Sequence, residues 1–394
     1  MARHFRRLTF WLLAGLAVPA LLALVALALL WFFFDPDDYR AQIESRASTA
    51  LGRRVRLTGA LSWQLGRRIA IVSEGGEIAN AAGFGPEPMA RWTRIRLGVA
   101  ARPLLDKQVL IDHIEVQGLQ LLLQRDAQGR VNWALPAGDA GGRGGQQAVS
   151  VRIAEVAVQD ATLRYRDAGA ESDWLVTSLQ ASAKLPADFM APAREFRDVA
   201  MRGRLAGGPV AQEGVAFELR AAALQLAPQQ LLLPAFTARW ADAMLEGEVT
   251  LQPDVPGIEA KFTLQAPSLR ALLATIGVEP PPMRDTTTLG ALNLALALRY
   301  AAGAATVDGL SLNMDGTHLT GRIELPRLQP LAARFNLAAD RVDLDRYREP
   351  VDVKSEPLEL PLAWLKQLDA RGTLRIREAI IAGAAAKQVR IDVE

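Results

Sequence analysis

Leu292-Asn293-Leu294-Ala295-Leu296-Ala297-Leu298-Arg299-Tyr300 alternates a large apolar side chain with a small or polar one over nine residues. Successive side chains of a β-strand point to opposite faces, so a period of two places Leu292, Leu294, Leu296 and Leu298 on one face. The same alternation recurs from Val109 onward in Leu119/Leu121/Leu123, Val156/Val158, Leu163/Tyr165, Val215/Phe217/Leu219, Val249/Leu251 and Phe262/Leu264, broken by Gly, Asp, Asn and Pro. These runs read as half-buried strands of antiparallel sheet.

Two stretches 74 residues apart repeat one another. Trp240, Leu245, Gly247, Val249 and Leu251 recur as Met314, Leu319, Gly321, Ile323 and Leu325; after a slip of one residue, Ala260, Phe262 and Leu264 recur as Ala333, Phe335 and Leu337. Fainter echoes start at Gly290 and Gly372. Although Gly-x-φ-x-φ is common β text, eight matched positions favour a true repeat of hairpins. Repeated β units stack into one continuous surface, because no unit buries its apolar face alone. The alignment predicts Gly247 and Gly321 at equivalent places, with Phe262 superposing on Phe335.

An apolar sheet face must meet helices, a second sheet or an apolar ligand. Helix signals are few for a sheet of about fifteen strands. Asp35-Pro36-Asp37-Asp38 reads as a helix start, followed by Tyr39, Ile43, Ala47, Ala50 and Leu51 at helical spacing and a stop at Gly52. That helix is expected to pack on its own domain. Short helices are also expected over 268–276, around 343–347 and over 361–368. In the Leu292 strand even the opposite face, Asn293, Ala295 and Ala297, is small and only weakly polar. A curved sheet whose concave face stays open to acyl chains is therefore permitted, without being required.

The run from Leu8 to Phe34 has 27 uncharged residues, ends in Trp31-Phe32-Phe33-Phe34, and lies between Arg3, Arg6, Arg7 and Asp35, Asp37, Asp38. At 1.5 Å per residue it spans roughly 40 Å, enough to cross a ~30 Å hydrocarbon core with tilt. Bulky rings stand where a signal peptide would be cleaved, so the segment reads as a retained inner-membrane helix. The arginines keep the N-terminus cytoplasmic and leave everything after Asp35 outside the inner membrane. Formal net charge is +2, and removing the three arginines leaves the exported part at −1, a poor surface for nucleic acid. The chain has no cysteine, which removes disulfides and thiol chemistry and suits an oxidising compartment.

Enzyme chemistry finds no motif. His4, His113 and His318 lack companions at ligand spacing, and there is no phosphate loop, nucleophile elbow, His-Glu-x-x-His or calcium loop. The acids alternate with arginines, as in Arg164-Tyr165-Arg166-Asp167, in the manner of a solvated strand face. The expectation is a non-enzyme without cofactor or metal.

A family resemblance rests on an ordered set of residues: Asp35-Pro-Asp-Asp-Tyr39, Leu51-Gly-Arg53, Leu57-Thr-Gly59-Ala-Leu-Ser62, Ala79-Asn80-Ala-Ala-Gly83-Phe84-Gly85, Gly98 through Leu105, Val109-Leu-Ile111-Asp-His-Ile114, Gly118-Leu119, and Arg125-Asp-Ala-Gln-Gly129-Arg-Val-Asn132-Trp133. Over about a quarter of the chain this resembles the amino-terminal region of the AsmA family. Leu65-Gly-Arg-Arg-Ile69 departs from the family pattern, and the chain stops in strand-like text short of the tail the family leads one to expect. The resemblance implies an inner-membrane-anchored periplasmic protein of the bridge-like lipid-transfer group: mainly β, an N-terminal transmembrane helix followed by an elongated, antiparallel, repeating, taco-like β-groove with a few short helices. It implies phospholipid chains in an apolar trough, a link with outer-membrane assembly components, and no catalytic residues to carry over.

The organisation expected is a cytoplasmic stub and membrane helix (1–34), an amino-terminal region (35–137), a Gly-rich linker (138–148) and a repetitive β-groove (149–394). Candidate groove residues are Leu292, Leu294, Leu296 and Leu298 with Phe262, Leu264, Phe335 and Leu337. Two functions stand open: a phospholipid conduit, which needs a continuous apolar stripe, and a scaffold or chaperone-like adaptor, which needs only an accessible sheet edge. The charge asymmetry about residues 8–34 predicts that a reporter fused after Glu394 works only if it is one that functions after export. Activity of a cytoplasm-specific reporter there would overturn the topology.

Overall fold

The computed structural model of the chain describes residues 36–64, 69–99, 111–134, 153–186, 191, 193–252, 257–328, 330–349 and 369–393. The described chain is mainly β-structure, because its alternating text can bury only one face per strand. The amino-terminal strands are β1 (Val55–Arg56), β2 (Leu61–Gln64), β3 (Ile69–Ile78), β4 (Ala90–Val99), β5 (Ile111–Gln117) and β6 (Gln120–Arg125). There follow β7 (Glu155–Asp167), β8 (Ser172–Lys184), β9 (Arg194–Gly207), β10 (Val210–Ala227), β11 (Gln230–Trp240), β12 (Ala243–Gln252) and β13 (Gly257–Ala266). The last are β14 (Leu292–Ala301), β15 (Ala304–Met314), β16 (Thr317–Leu328), β17 (Leu331–Asp343), β18 (Asp369–Ile381) and β19 (Ala384–Val393). All nineteen join a single sheet.

From β7 to β19 each strand pairs with the next in the chain. Pairing is antiparallel except at two junctions: β5 and β6 run parallel to β7, and β17 runs parallel to β18. A parallel step needs a long return, and both places have one, between Arg125 and Glu155 and between Asp343 and Asp369. The Gly-rich stretch 138–148 lies outside the described residues; the pairing of β6 with β7 makes the sheet continuous across it.

Helix is sparse, as anticipated. A 3-10 turn (Pro36–Tyr39) leads into α1 (Arg40–Leu51), which stops where Gly52 takes the left-handed conformation at φ 62°. Helix α2 (Leu269–Thr275) begins where the Ser268 hydroxyl accepts the Ala271 N–H at 3.1 Å. A second 3-10 turn occupies Leu344–Tyr347. The expected helix over 361–368 and the membrane helix from Leu8 to Phe34 lie outside the described residues. Among the described residues no helix is long and apolar enough to cross a membrane.

The hairpin repeat is present, with a correction of register. In the first hairpin Gly247 lies opposite Phe262, but in the second Gly321 lies opposite Leu337, and Phe335 lies opposite Ile323. With the glycines superposed, Phe262 falls on Leu337, and Phe335 falls two residues away on the same face. The reason is the phenylalanine's true partner. Phe335 pairs with Gly372 of β18, as Phe262 pairs with Gly247 and Phe217 with Gly203. A Cβ on Gly372 would meet Phe335 O at 2.2 Å and Cγ at 2.8 Å, and one on Gly247 would meet Lys261 O at 2.2 Å and Phe262 Cβ at 2.8 Å. The recurring unit is thus a phenylalanine crowded against a cross-strand glycine.

Since Gly247 has no room for a methyl group, Gly247→Ala is expected to lower stability by about 1–3 kcal/mol, read as an earlier urea midpoint. An unchanged midpoint would mean that Phe262 is not held against this glycine.

Candidate functional site: an uncovered apolar face

Directly paired residues of neighbouring strands project to the same face. Followed from strand to strand, one row runs Ile95, Val116, Val158, Ala181, Met201, Leu219, Ala238, Leu245, Leu264, Leu294, Leu312, Leu319, Ala339, Ile376, Val389. It crosses fifteen strands without a polar residue. At the usual spacing of neighbouring strands it extends about 67 Å. A parallel row contains Leu233, Val249, Ala260, Leu298, Val307, Ile323 and Phe335.

Such a face is normally buried beneath a second layer. Here every residue of the long row from Ile95 to Leu319 is only half-buried. Among the described residues the cover is local: Leu269 and Leu272 of α2 pack on Ala243, Ala266 and Leu292, together with Leu264, Leu294, Leu312 and Met314. The Trp240 indole N–H donates to Thr275 Oγ1 at 2.8 Å and ties the helix to β11. A second buried cluster gathers Ala339, Ile376 and Ala379 at the β17–β18 junction.

The opposite face is ionic. Glu259 pairs with Arg299 at 3.1 Å, Asp308 with Arg322 at 3.2 Å and Glu74 with Arg94 at 2.5 Å. Exposed pairs of this kind add little stability, so they mark the solvated side. The surface depressions also lie mainly on this side. One of about 620 Å³ is lined by Glu246, Glu248, Lys261, Thr263, Ala295, Ala297 and Asp308 with neighbouring apolar residues. Short alanines between long charged side chains account for such dips.

One edge of the apolar face is fastened by a polar clamp. The connection after α2 is held against the 3-10 turn Leu344–Tyr347 by Arg346, whose Nε donates to Asp285 Oδ2 at 2.7 Å and whose Nη1 donates to Asp315 O at 2.8 Å. The Thr287 hydroxyl and N–H, then Arg346, hold the Asp285 carboxyl down at about 2. Asp315 accepts from Tyr347 Oη at 2.6 Å and from the N–H groups of Leu289 and Gly290. Burial opposes its ionisation, but those donors outweigh it and keep the carboxyl below its ordinary value. Burial and Asp315 together push the Tyr347 phenol up.

The predicted leucines divide. Leu292 is 5% exposed and lies beneath α2, so it is core rather than open lining; Leu264 and Leu294 pack against the same cluster. Leu296 and Leu298 sit beyond it, opposite Phe262 and Ala260, and both are half-buried, as are Phe262, Phe335 and Leu337. Of the histidines, His113 Nδ1 stands 3.5 Å from Glu155 and His318 Nδ1 stands 2.7 Å from Asn313 Oδ1. Among the described residues no group of three or more His, Cys, Asp or Glu side chains could hold a metal ion. The clamp was not anticipated. Its sequence signal, Asp285 and Asp315 with Arg346-Tyr347, is spread over 63 residues without local periodicity.

Comparison with known proteins gives a family and one distant relative. The family model described as AsmA family matches residues 2–232. Protein AsmA of Escherichia coli (strain K12) is 29% identical over 121 residues, which cover 30% of this chain and 18% of that relative's length. No solved structure matches the chain.

The clamp predicts a pH dependence. The Asp285 carboxyl is lowered from 3.8 to about 2, so its contribution to stability is complete above about pH 4 and is lost as pH falls through about 2. Asp285→Asn should melt earlier than the parent at neutral pH, with the gap closing between those limits. A gap independent of pH in that window would discount the ionised clamp.

Proposed function

The chain belongs to the AsmA family, and we propose that it is an inner-membrane-anchored periplasmic protein that shelters phospholipid acyl chains along the apolar face of its sheet, supporting lipid transfer to, and assembly of, the outer membrane. The observation that carries this reading is the apolar row, half-exposed over the twelve strands from Ile95 to Leu319. A row of that kind is costly in water unless something apolar covers it. Exposing a lipid chain is costly too, at about 0.8 kcal/mol per CH₂, so a sixteen-carbon chain needs cover worth roughly 12 kcal/mol. Each surface satisfies the other by contact alone. Ionic groups on the far face keep the protein soluble while the near face works.

A second reading has its own observation. On its outer side β19 pairs with no described strand, and Ile391 and Val393 on it are 44% and 37% exposed. An edge of this kind can accept a strand from another protein by main-chain pairing, which is what an assembly adaptor requires.

Leu296→Asp with Leu298→Asp separates the two. The double change sets two charges on the uncovered part of the apolar face, beyond α2 and beside the long row, where desolvating them is unfavourable by several kcal/mol. The variant should stay folded and lose crosslinking to a phospholipid bearing a photoreactive acyl chain, whereas Leu292→Asp should unfold the chain. A folded double variant that crosslinks as well as the parent would sink the conduit reading at this strand and leave the adaptor.

A further inference from the structure

Helix α1 is mounted on the sheet by its polar residues. Arg40 Nη1 donates to Leu57 O at 2.6 Å, Glu44 Oε1 accepts the Leu57 N–H at 2.7 Å, and Ser48 Oγ accepts the Val55 N–H at 2.9 Å. Positions 40, 44 and 48 form one stripe on successive turns. Ile43, with Arg46 and Ala50, lies roughly 120° around the helix from that stripe, at 3.6 residues per turn. Ile43 is 42% exposed, and Tyr39 at the helix entrance is equally so. The remaining flank, Gln42, Ser45 and Thr49, is polar and exposed. The helix thus has three sides: one bonded to protein, one hydrated, and one apolar with a single arginine.

What covers the apolar side is indicated by the chain that leads into it. Ile43 follows the uncharged 27-residue run ending at Phe34 by only nine residues, part of them wound into helix. We propose that the flank carrying Tyr39, Ile43 and Arg46 lies on the bilayer surface, with Ile43 at the level of the upper acyl chains and Arg46 among lipid phosphates. Tyrosine is favoured at that depth, and arginine reaches phosphate while its stem stays in the apolar layer. Of the acids at the helix entrance, Asp37 is engaged by Arg40 at 2.6 Å and by the Leu61 N–H at 3.0 Å, so its charge is held against the protein. Because α1 is bonded to β1 and to the segment entering β2, the seat also fixes which end of the sheet meets the membrane. The apolar row begins close by, on β4, which pairs with β3 as β1 and β2 do, so its start stands on the membrane side and the row leads away from it. This inference rests on the conduit reading for its use, but not for its test.

The absence of cysteine makes the test direct. In the full chain reconstituted into phosphatidylethanolamine–phosphatidylglycerol vesicles, nitroxides at Ile43→Cys and Thr49→Cys are compared for collision with oxygen and with a water-soluble nickel complex. The expected result is a lipid-like ratio at 43 and a water-like ratio at 49, with Arg46→Glu moving position 43 toward water. A water-like ratio at 43 overturns the proposal, and so does shielding of 43 from both reagents, which would mean a protein partner. If 43 is lipid-like while acyl crosslinking to the sheet is absent, the conduit fails and the membrane seat stands; the reverse pattern fails the seat alone.

Discussion

Everything in this molecule depends on cross-strand register. Among the described residues the sheet has no second layer over most of its apolar face to correct a mispairing, and a slip of one residue would turn a leucine to the solvated side and a glutamate into the row. The pairing holds Leu245, Leu264, Leu294, Leu312 and Leu319 in line across five strands, and their opposite neighbours carry the ion pairs. Register shifts do occur, for instance in β7 and β8, where Asp160 and Ser178 adopt φ 51° and 50°. They resolve within each strand, because the apolar row resumes on the far side of the irregularity: Val158 pairs with Ala181, and Leu163 with Val176.

The specifying devices are local. A phenylalanine set against a glycine tolerates no neighbouring pairing, since any other residue at Gly247 or Gly372 would collide with main chain. At the sheet's beginning, where β1 has only two residues, α1 takes the place of a strand: its Arg40 and Glu44 satisfy the carbonyl and the amide of Leu57 just beyond β1. A helix that spends its polar stripe in this way must leave its apolar residues elsewhere.

Much of this was legible in the sequence, and for a physical reason. Wherever one face is solvated, alternation is written residue by residue, so Leu292 to Tyr300 and Phe262/Leu264 could be read directly, as could the short helix over 268–276 from its own spacing. What the sequence did not disclose involves partners far apart in the chain. Leu292 has the same pattern as Leu296 but is buried, because α2 docks at that end of the strand and not at the other. The glycine belonging to Phe335 is 37 residues away in a parallel neighbour, whereas the apparent glycine in its own hairpin, Gly321, faces Leu337. The stripe in α1 was visible, but which side met the sheet depended on unpaired main-chain groups beyond β1.

The serial pairing from β7 to β19 also gives the sheet a unit of length. Adding or removing one hairpin leaves the direction of the chain and the sense of the two faces unchanged, and it alters the reach of the apolar row by about 9.6 Å. A single strand cannot be gained or lost in this way without reversing every later turn, except through a parallel junction such as β17–β18. The span such a sheet can bridge is therefore quantised, and evolution can tune it as one sets a ruler, in whole hairpins.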